Sequence, residues 1–187
     1  MTAFVFPDNT VLINFGYLHR MDLLERLVGN PAWCATVAAE CEQSASHPDL
    51  EDMRDARRIF GEPLFPETPE EHLMTQTYRR QLARPGDPGT ANLGEAETLA
   101  IIHCRGLTAV FFTDDHGPAQ ILVSPKEGGP KISVAGTWTL LKVAWRKGFV
   151  DTDTLWSFVS ILRGKKRHLP PGDAGYRRDF FEAWLAE

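Results

Sequence analysis

The stretch "LTAVFFTDDHGPAQ" (107–120) decides how the rest of the chain is read. Residues 107–112 carry no charge and include β-branched and aromatic side chains, the composition of a strand. Apolar and polar positions do not alternate, so the run reads as a parallel strand buried on both faces. It ends on Thr113 and two adjacent carboxylates, Asp114 and Asp115. Adjacent acids repel each other and favour a solvated turn. Either they solvate a loop or they hold something positive.

Working outward, "AFVF" (3–6) reads as a short apolar first strand. Pro7 cannot donate to a ladder, so the strand is expected to stop there, just before Asp8. "NTVLINFGYL" (9–18) and "MDLLERLV" (21–28) are helical, the second with Leu23, Leu24, Leu27 and Val28 on one side. Gly29, Asn30 and Pro31 break it. The alanine-rich "AWCATVAAECEQSA" (32–45) predicts a helix starting near Pro31. The stretch 46–92 is more charged and reads as a helical insert. It holds two helices, about 49–60 and 69–83, forming a hairpin on the domain body. "TPEE" (68–71) marks the second start, with Thr68 as cap and Pro69 at the first position.

"GEAETLAIIHC" (94–104) is a helix with Leu99, Ile102 and His103 facing inward. "DHGPAQILV" (115–123) reads as a short helix started near His116, and "KISVAG" (131–136) as a third strand. "TWTLLKVAWRKG" (137–148) and "DTDTLWSFVSILRG" (151–164) are helices, the second capped by Asp151 or Thr152. A basic, proline-rich piece leads to a final helix, "YRRDFFEAWLAE" (176–187), so 151–187 forms a helical extension. Strand–helix alternation predicts one α/β domain with a central parallel sheet.

Bulk properties narrow the function. The chain has 187 residues, of which 43% are hydrophobic, enough for one buried core. A net charge of -5 argues against a uniformly basic nucleic-acid binder, while leaving room for a local patch. The cysteines, Cys34, Cys41 and Cys104, are odd in number and form no Cys-x-x-Cys pair, so they read as small packing residues. No apolar run approaches the roughly 20 residues that span a bilayer, and "MTAFVFPDNT" has no basic leader. The expectation is a cytoplasmic protein with no membrane partner.

The acids recur at strand ends. Asp8 follows the first strand, and Asp114 and Asp115 follow the strand 107–112. Ligands in open α/β sheets bind at the carboxyl ends of parallel strands. Glu40 lies on the alanine-rich helix, and Glu95 and Glu97 open the helix at 94–104. Each has a plainer reading: Asp8 as a helix cap, Glu40 as a solvated helix residue, Glu95 and Glu97 as first-turn acids, and Asp114 and Asp115 as turn formers. Together they need an offset, because two unit charges about 4 Å apart repel by about 4 kcal/mol at an effective dielectric near 20. Protonation supplies one. A hard divalent cation such as Mg²⁺ or Mn²⁺ supplies another, and suits hydrolysis of a phosphodiester.

The ordered set resembles the PIN-domain family, the fold of VapC-type toxin ribonucleases. The matching pieces are "PDNTVLINF" (7–15), "VAAEC" (37–41), "NLGEAETLAII" (92–102), "AVFFTDD" (109–115) and "VAGTWTLLKVAWRKG" (134–148), so the similarity covers about 1–45 and 92–150. The resemblance implies a three-layer α/β/α sandwich with a central parallel sheet. It also implies Mg²⁺- or Mn²⁺-dependent cleavage of RNA, often by a homodimer held inactive by an antitoxin protein. Asp8 matches the first family acid and Glu40 the second. Glu97, with Glu95 assisting, matches the third, and Asp115, with Asp114 second, matches the fourth. Thr10 and Thr137 match the hydroxyl positions near the metal. The chain departs from the pattern in the proline before Asp8 and in the 46–92 insert.

Two basic clusters are candidates for nucleic-acid contact: Arg79, Arg80 and Arg84 on the insert, and "RGKKRH", with Arg163, Lys165, Lys166, Arg167 and His168. Aromatic residues do not interleave the second, so base stacking is not expected there. A non-catalytic PIN-like binding or scaffold protein and a housekeeping RNA or DNA nuclease remain as alternatives. A non-catalytic PIN-like scaffold would keep the acids as caps and turns. A phosphatase using an Asp-x-Asp motif lacks its second acid in "DNT", and no P-loop occurs.

Overall fold

Three short strands run parallel in the order β1 (Phe4–Pro7), β2 (Ala109–Phe112), β3 (Ile132–Ala135). They belong to a computed structural model that describes residues 3–88, 91–118 and 131–187. Pro7 stands opposite Phe112, and Phe112 opposite Ala135, so the three strands end level with one another. One further bond follows each strand pair: Asp8 N–H donates to the Phe112 carbonyl (2.7 Å) and Thr113 N–H to that of Ala135 (3.0 Å). The acids that follow β1 and β2 therefore leave the sheet at one edge.

The strand β1 takes in Pro7 and stops there, just before Asp8, one residue beyond the "AFVF" run. Phe4 and Asp8 donate toward β2, whereas Val5 donates to the Asn30 carbonyl on the other side. Pro7 shares the side of Val5, so its missing N–H removes no bond to β2. That outer edge is partly covered. Pro31 bridges to Val5 and Cys34 to Leu64, so residues 31–34 are extended and the alanine-rich helix begins at Ala35, four residues later than its sequence predicts.

The helices are α1 (Asn9–Tyr17), α2 (Met21–Leu27), α3 (Ala35–Ser44), α4 (Ala56–Phe60), α5 (Pro69–Leu82), α6 (Leu93–Cys104), α7 (Thr137–Arg146), α8 (Thr152–Gly164) and α9 (Arg178–Ala186). A 3-10 stretch, Pro48–Asp55, leads into α4, so the helix expected over 49–60 is two pieces with a kink at Leu50. His116 opens a helical turn, and the rest of the helix expected over 115–123 lies outside the described residues.

Alternate strand residues feed two apolar clusters. Val5 and Phe112 join α1, α2, α3, α7, α8 and α9, while Phe6, Ala109 and Phe111 join α5 and α6. The lack of apolar–polar alternation in β2 follows from this double burial. Phe6, Phe15, Phe111 and Phe181 are fully buried, each worth about 1.5–3 kcal/mol. The 46–92 stretch is not a hairpin. Leu50, Met53 and Phe60 enter the first cluster and Tyr78 and Leu82 the second, because each helix buries its own apolar side against a different part of the body. The start of α5 is as its sequence predicts: Thr68 accepts from Glu71 N–H, and the Glu71 carboxylate accepts from Thr68 N–H. Among the described residues no helix is long and apolar enough to cross a membrane.

Candidate functional site

Asp8, Glu95 and Asp115 meet at the carboxyl edge of the sheet. Each offers a carboxylate oxygen, and these oxygens all lie within 4.8 Å of one another. They arrive on three separate segments: Asp8 from the end of β1, Glu95 from the first turn of α6 and Asp115 from the loop after β2. Asp8 and Glu95 are 4% and 8% exposed, while Asp115 is open to solvent.

Asp8 serves two purposes, as its sequence position allows. It caps α1, accepting from Thr10 N–H (3.1 Å) and from the Thr10 hydroxyl (2.5 Å). Even so, burial raises its pKa, and Asp115 raises it further. Glu95 is pushed up to about 8, first by burial and then by Asp8. On α3, Glu40 is half-buried and pushed up to about 7 by burial, with Asp8 and Glu97 adding to it. The site is thus a concentration of negative charge offset by protons and by few donors.

The remaining acids have structural partners. Glu97 accepts from the backbone N–H (3.2 Å) and hydroxyl (2.7 Å) of Thr36, in the first turn of α3. It satisfies a helix N-terminus from a neighbouring helix. Asp114 does the same for α7. Its Oδ1 accepts from Thr137 N–H (2.8 Å), and its Oδ2 from the Thr137 hydroxyl and the Asn14 amide, both at 2.6 Å. The structure therefore brings Glu95, rather than Glu97, to Asp8, and Asp115, rather than Asp114. The two threonines support acids: Thr10 holds Asp8, and Thr137 holds Asp114.

Position 94 explains how α6 comes so close to α3. A β-carbon on Gly94 would stand 2.9 Å from Val37 Cγ2 and 3.3 Å from Glu40 Oε2. The absent side chain lets the first turn of α6 lie against α3, which sets Glu95 toward the cleft.

Asn14 was not singled out in the sequence. It is fully buried and links Asp114, Thr137 (2.9 Å) and Arg167, whose Nε donates to its Oδ1 at 2.6 Å. A signal existed: Asn14 is polar within the buried helical set of Val11, Leu12 and Phe15. Arg167 also donates to the Thr10 carbonyl (3.1 Å). Of the other basic residues in "RGKKRH", Arg163 bonds the Gly175 carbonyl, Lys165 pairs with Asp49 at 2.6 Å, and Lys166 is exposed. The His168 ring meets His116 edge-on, 5.6 Å between centroids.

Glu95 and Asp115 line a cleft of ≈ 150 Å³ together with Arg84, Asp87 and Asn92. A larger cavity of ≈ 350 Å³, bordered by Trp33, Cys41 and Met53, contains none of the clustered acids. Chemistry, not volume, selects the acidic cleft. Its donors are all carboxylate oxygens, the set a hard divalent cation prefers. Carboxylate oxygens within 4.8 Å of one another are close enough for one hard cation, with oxygen ligands at about 2.0–2.6 Å, to be held by all three. The cysteines do not contribute: Cys34 and Cys41 are buried, with raised thiol pKa, and Cys34 contacts Thr98 and the Gly94 carbonyl. The chain matches no protein-family model, no curated protein and no solved structure.

Proposed function

We propose that the chain is a Mg²⁺- or Mn²⁺-dependent endoribonuclease with a PIN-like three-layer α/β/α architecture, acting in the cytoplasm as the toxin of a toxin–antitoxin pair. The observation that carries this reading is the convergence of Asp8, Glu95 and Asp115 from three segments to within 4.8 Å of one another. Burying such a set without a cation is unfavourable, and the raised pKa of Asp8 and Glu95 expresses that cost.

Asp8, Glu95 and Asp115 hold the ion. When bound, it supplies Lewis acidity toward a phosphodiester and a water of lowered pKa. The chain's own residues set the geometry. Thr10 fixes Asp8, the α3 contact fixes Glu95, and the Thr113 hydroxyl accepts from Asp115 N–H (3.0 Å) and shapes the turn that presents it. Glu40, beside them, holds its proton up to about pH 7 and limits the negative charge at the site. An antitoxin protein and a homodimer are partners that belong to this reading.

A second reading has a specific observation behind it. Asp8, Glu97 and Asp114 all serve as helix caps, as a non-catalytic scaffold would use them. Calorimetric titration with Mn²⁺ and a cleavage assay on single-stranded RNA separate the two. The nuclease reading expects Mn²⁺ binding and metal-stimulated cleavage, both lost in Asp8→Asn and Asp115→Asn. No heat of binding at millimolar Mn²⁺, or undiminished cleavage in both variants, overturns it.

A further inference from the structure

Arg79, Arg80 and Arg84 stand at and just beyond the end of α5. They line a second cleft, of ≈ 290 Å³, with Gln76, Asp87 and Asn92. Arg84, Asp87 and Asn92 also line the acidic cleft of Glu95 and Asp115, so the two clefts adjoin across a shared wall. Six of the chain's 14 arginines pair with a carboxylate: Arg20, Arg57, Arg58, Arg105, Arg177 and Arg178. Among the described residues, Arg79, Arg80 and Arg84 have no such partner. The one acid between them, Asp87, accepts from Arg84 backbone N–H (2.7 Å) and from the Asn92 amide, which turns it to the loop. Arginines in the last turn of a helix suit its dipole, which accounts for Arg79 and Arg80. It does not account for Arg84, which lies past the helix end and on the wall shared with the acids.

We propose that Arg79, Arg80 and Arg84 form a phosphate track that leads single-stranded RNA into the acidic cleft. The catalytic meaning of the track rests on the ribonuclease reading, but its binding does not. Guanidinium groups bind phosphate through paired N–H donors, and three of them on one cleft wall offer positive charge to a phosphodiester backbone. No aromatic side chain lines either cleft among the described residues, so the track holds the backbone and discriminates little between bases.

The test is binding of a short fluorescent single-stranded RNA in EDTA, followed by anisotropy over a salt series. For the triple variant Arg79→Ala, Arg80→Ala, Arg84→Ala, the slope of log affinity against log salt is expected to fall by about 0.7 per lost phosphate contact, about 2 in all. The triple Arg→Lys variant keeps the charges and retains most of the slope. Lys147→Ala, at the end of α7 away from Asp114, leaves it unchanged. Near-ultraviolet circular dichroism confirms that the triple variant is folded. An unchanged slope and affinity in that folded variant overturn the track, as does a preference for duplex over single-stranded RNA. Mn²⁺ titration and cleavage by the wild type are read separately. If the wild type neither binds Mn²⁺ nor cleaves while the slope still falls, the nuclease reading fails and the track stands. If it cleaves and the slope does not move, the reverse holds.

Discussion

A β-carbon built on Gly136 would stand 2.6 Å from Oδ1 of Asp114. The backbone at Gly136 is ordinary, with φ -98, so glycine is required there by space and not by conformation. Glycine has no side chain to cap α7, and Asp114 reaches across from the end of β2 to do it. The two residues fit only as a pair.

Gly136→Ala is therefore expected to destabilise the fold by about 1–3 kcal/mol, the range for an added carbon in a packed site. Asp114→Ala removes the acceptor shared by three donors and is expected to cost about 2–3 kcal/mol. Because the alanine methyl at 136 clashes with the very group removed at 114, the double variant should lose less than the sum. Urea unfolding of the four proteins decides it. Strict additivity would mean that the contact does not govern the choice of glycine.

This pair explains the adjacent aspartates. The sequence placed both at the end of a buried strand, and the strand was legible because its two faces are both covered. It did not show that Asp114 turns toward α7 and Asp115 toward the cleft, since that depends on where α7 begins. Glu95 and Glu97 pose the same problem. Residues two apart on a helix point about 200° apart, so only one faces the cleft. Which one does so depends on how α6 seats against α3 at Gly94, a tertiary contact with no local signature. The cap at Thr68 was legible because the residues that mark it, Thr68 to Glu71, are adjacent in sequence. Asn14 and Arg167, 153 residues apart, were not.

Glu95 makes the metal-free protein pH-sensitive. Its pKa is raised from 4.5 to about 8 in the folded chain, so the native state holds a proton that the unfolded state releases. Stability should fall as pH rises from about 4.5 to about 8, with the full penalty present above that. Glu95→Gln is expected to flatten this slope and raise the melting temperature at pH 8.5, by about 2–4 °C per kcal/mol relieved. Mn²⁺ should stabilise the wild type in the same range, by about 2.7 kcal/mol at a hundredfold excess over Kd, and should lose that effect in the variant. Scanning calorimetry in EDTA and in Mn²⁺ reads both. A variant that melts lower than the wild type at pH 8.5 without metal contradicts the proposed strain.

Glu71 behaves in the opposite sense. It is 3% exposed and accepts from Arg105 Nε (2.7 Å), Glu67 N–H (2.6 Å) and Thr68 N–H (3.1 Å). Chiefly through Arg105, its pKa is lowered from 4.5 to about 2. Its contribution is present above pH 4.5 and is lost as pH falls toward 2. Glu71→Ala is expected to cost about 2–4 kcal/mol at pH 7, because it removes the acceptor of Arg105 Nε and of two backbone donors. The deficit should shrink below pH 3 in denaturant titrations. An equal deficit at pH 7 and pH 3 would assign the loss to packing alone.

Arg167 reaches the site from the end of α8 and braces it from behind. Its Nε holds Asn14, which holds Asp114, and its Nη2 holds the carbonyl of Thr10, whose hydroxyl holds Asp8. A lysine has one ammonium where this geometry uses two diverging N–H donors, so Arg167→Lys should not replace it. Arg167→Ala is expected to cost about 1–2 kcal/mol in stability through the lost hydrogen bonds. Its sharper consequence is at Asp8, where a loosened Thr10 should weaken Mn²⁺ binding several-fold, with Arg167→Lys close to the alanine variant. Calorimetric Mn²⁺ titration of both variants, compared with their urea midpoints, separates positioning from bulk stability. Weaker metal binding at a near-normal midpoint supports the brace. Unchanged metal affinity would reduce Arg167 to a tie between α8 and α1.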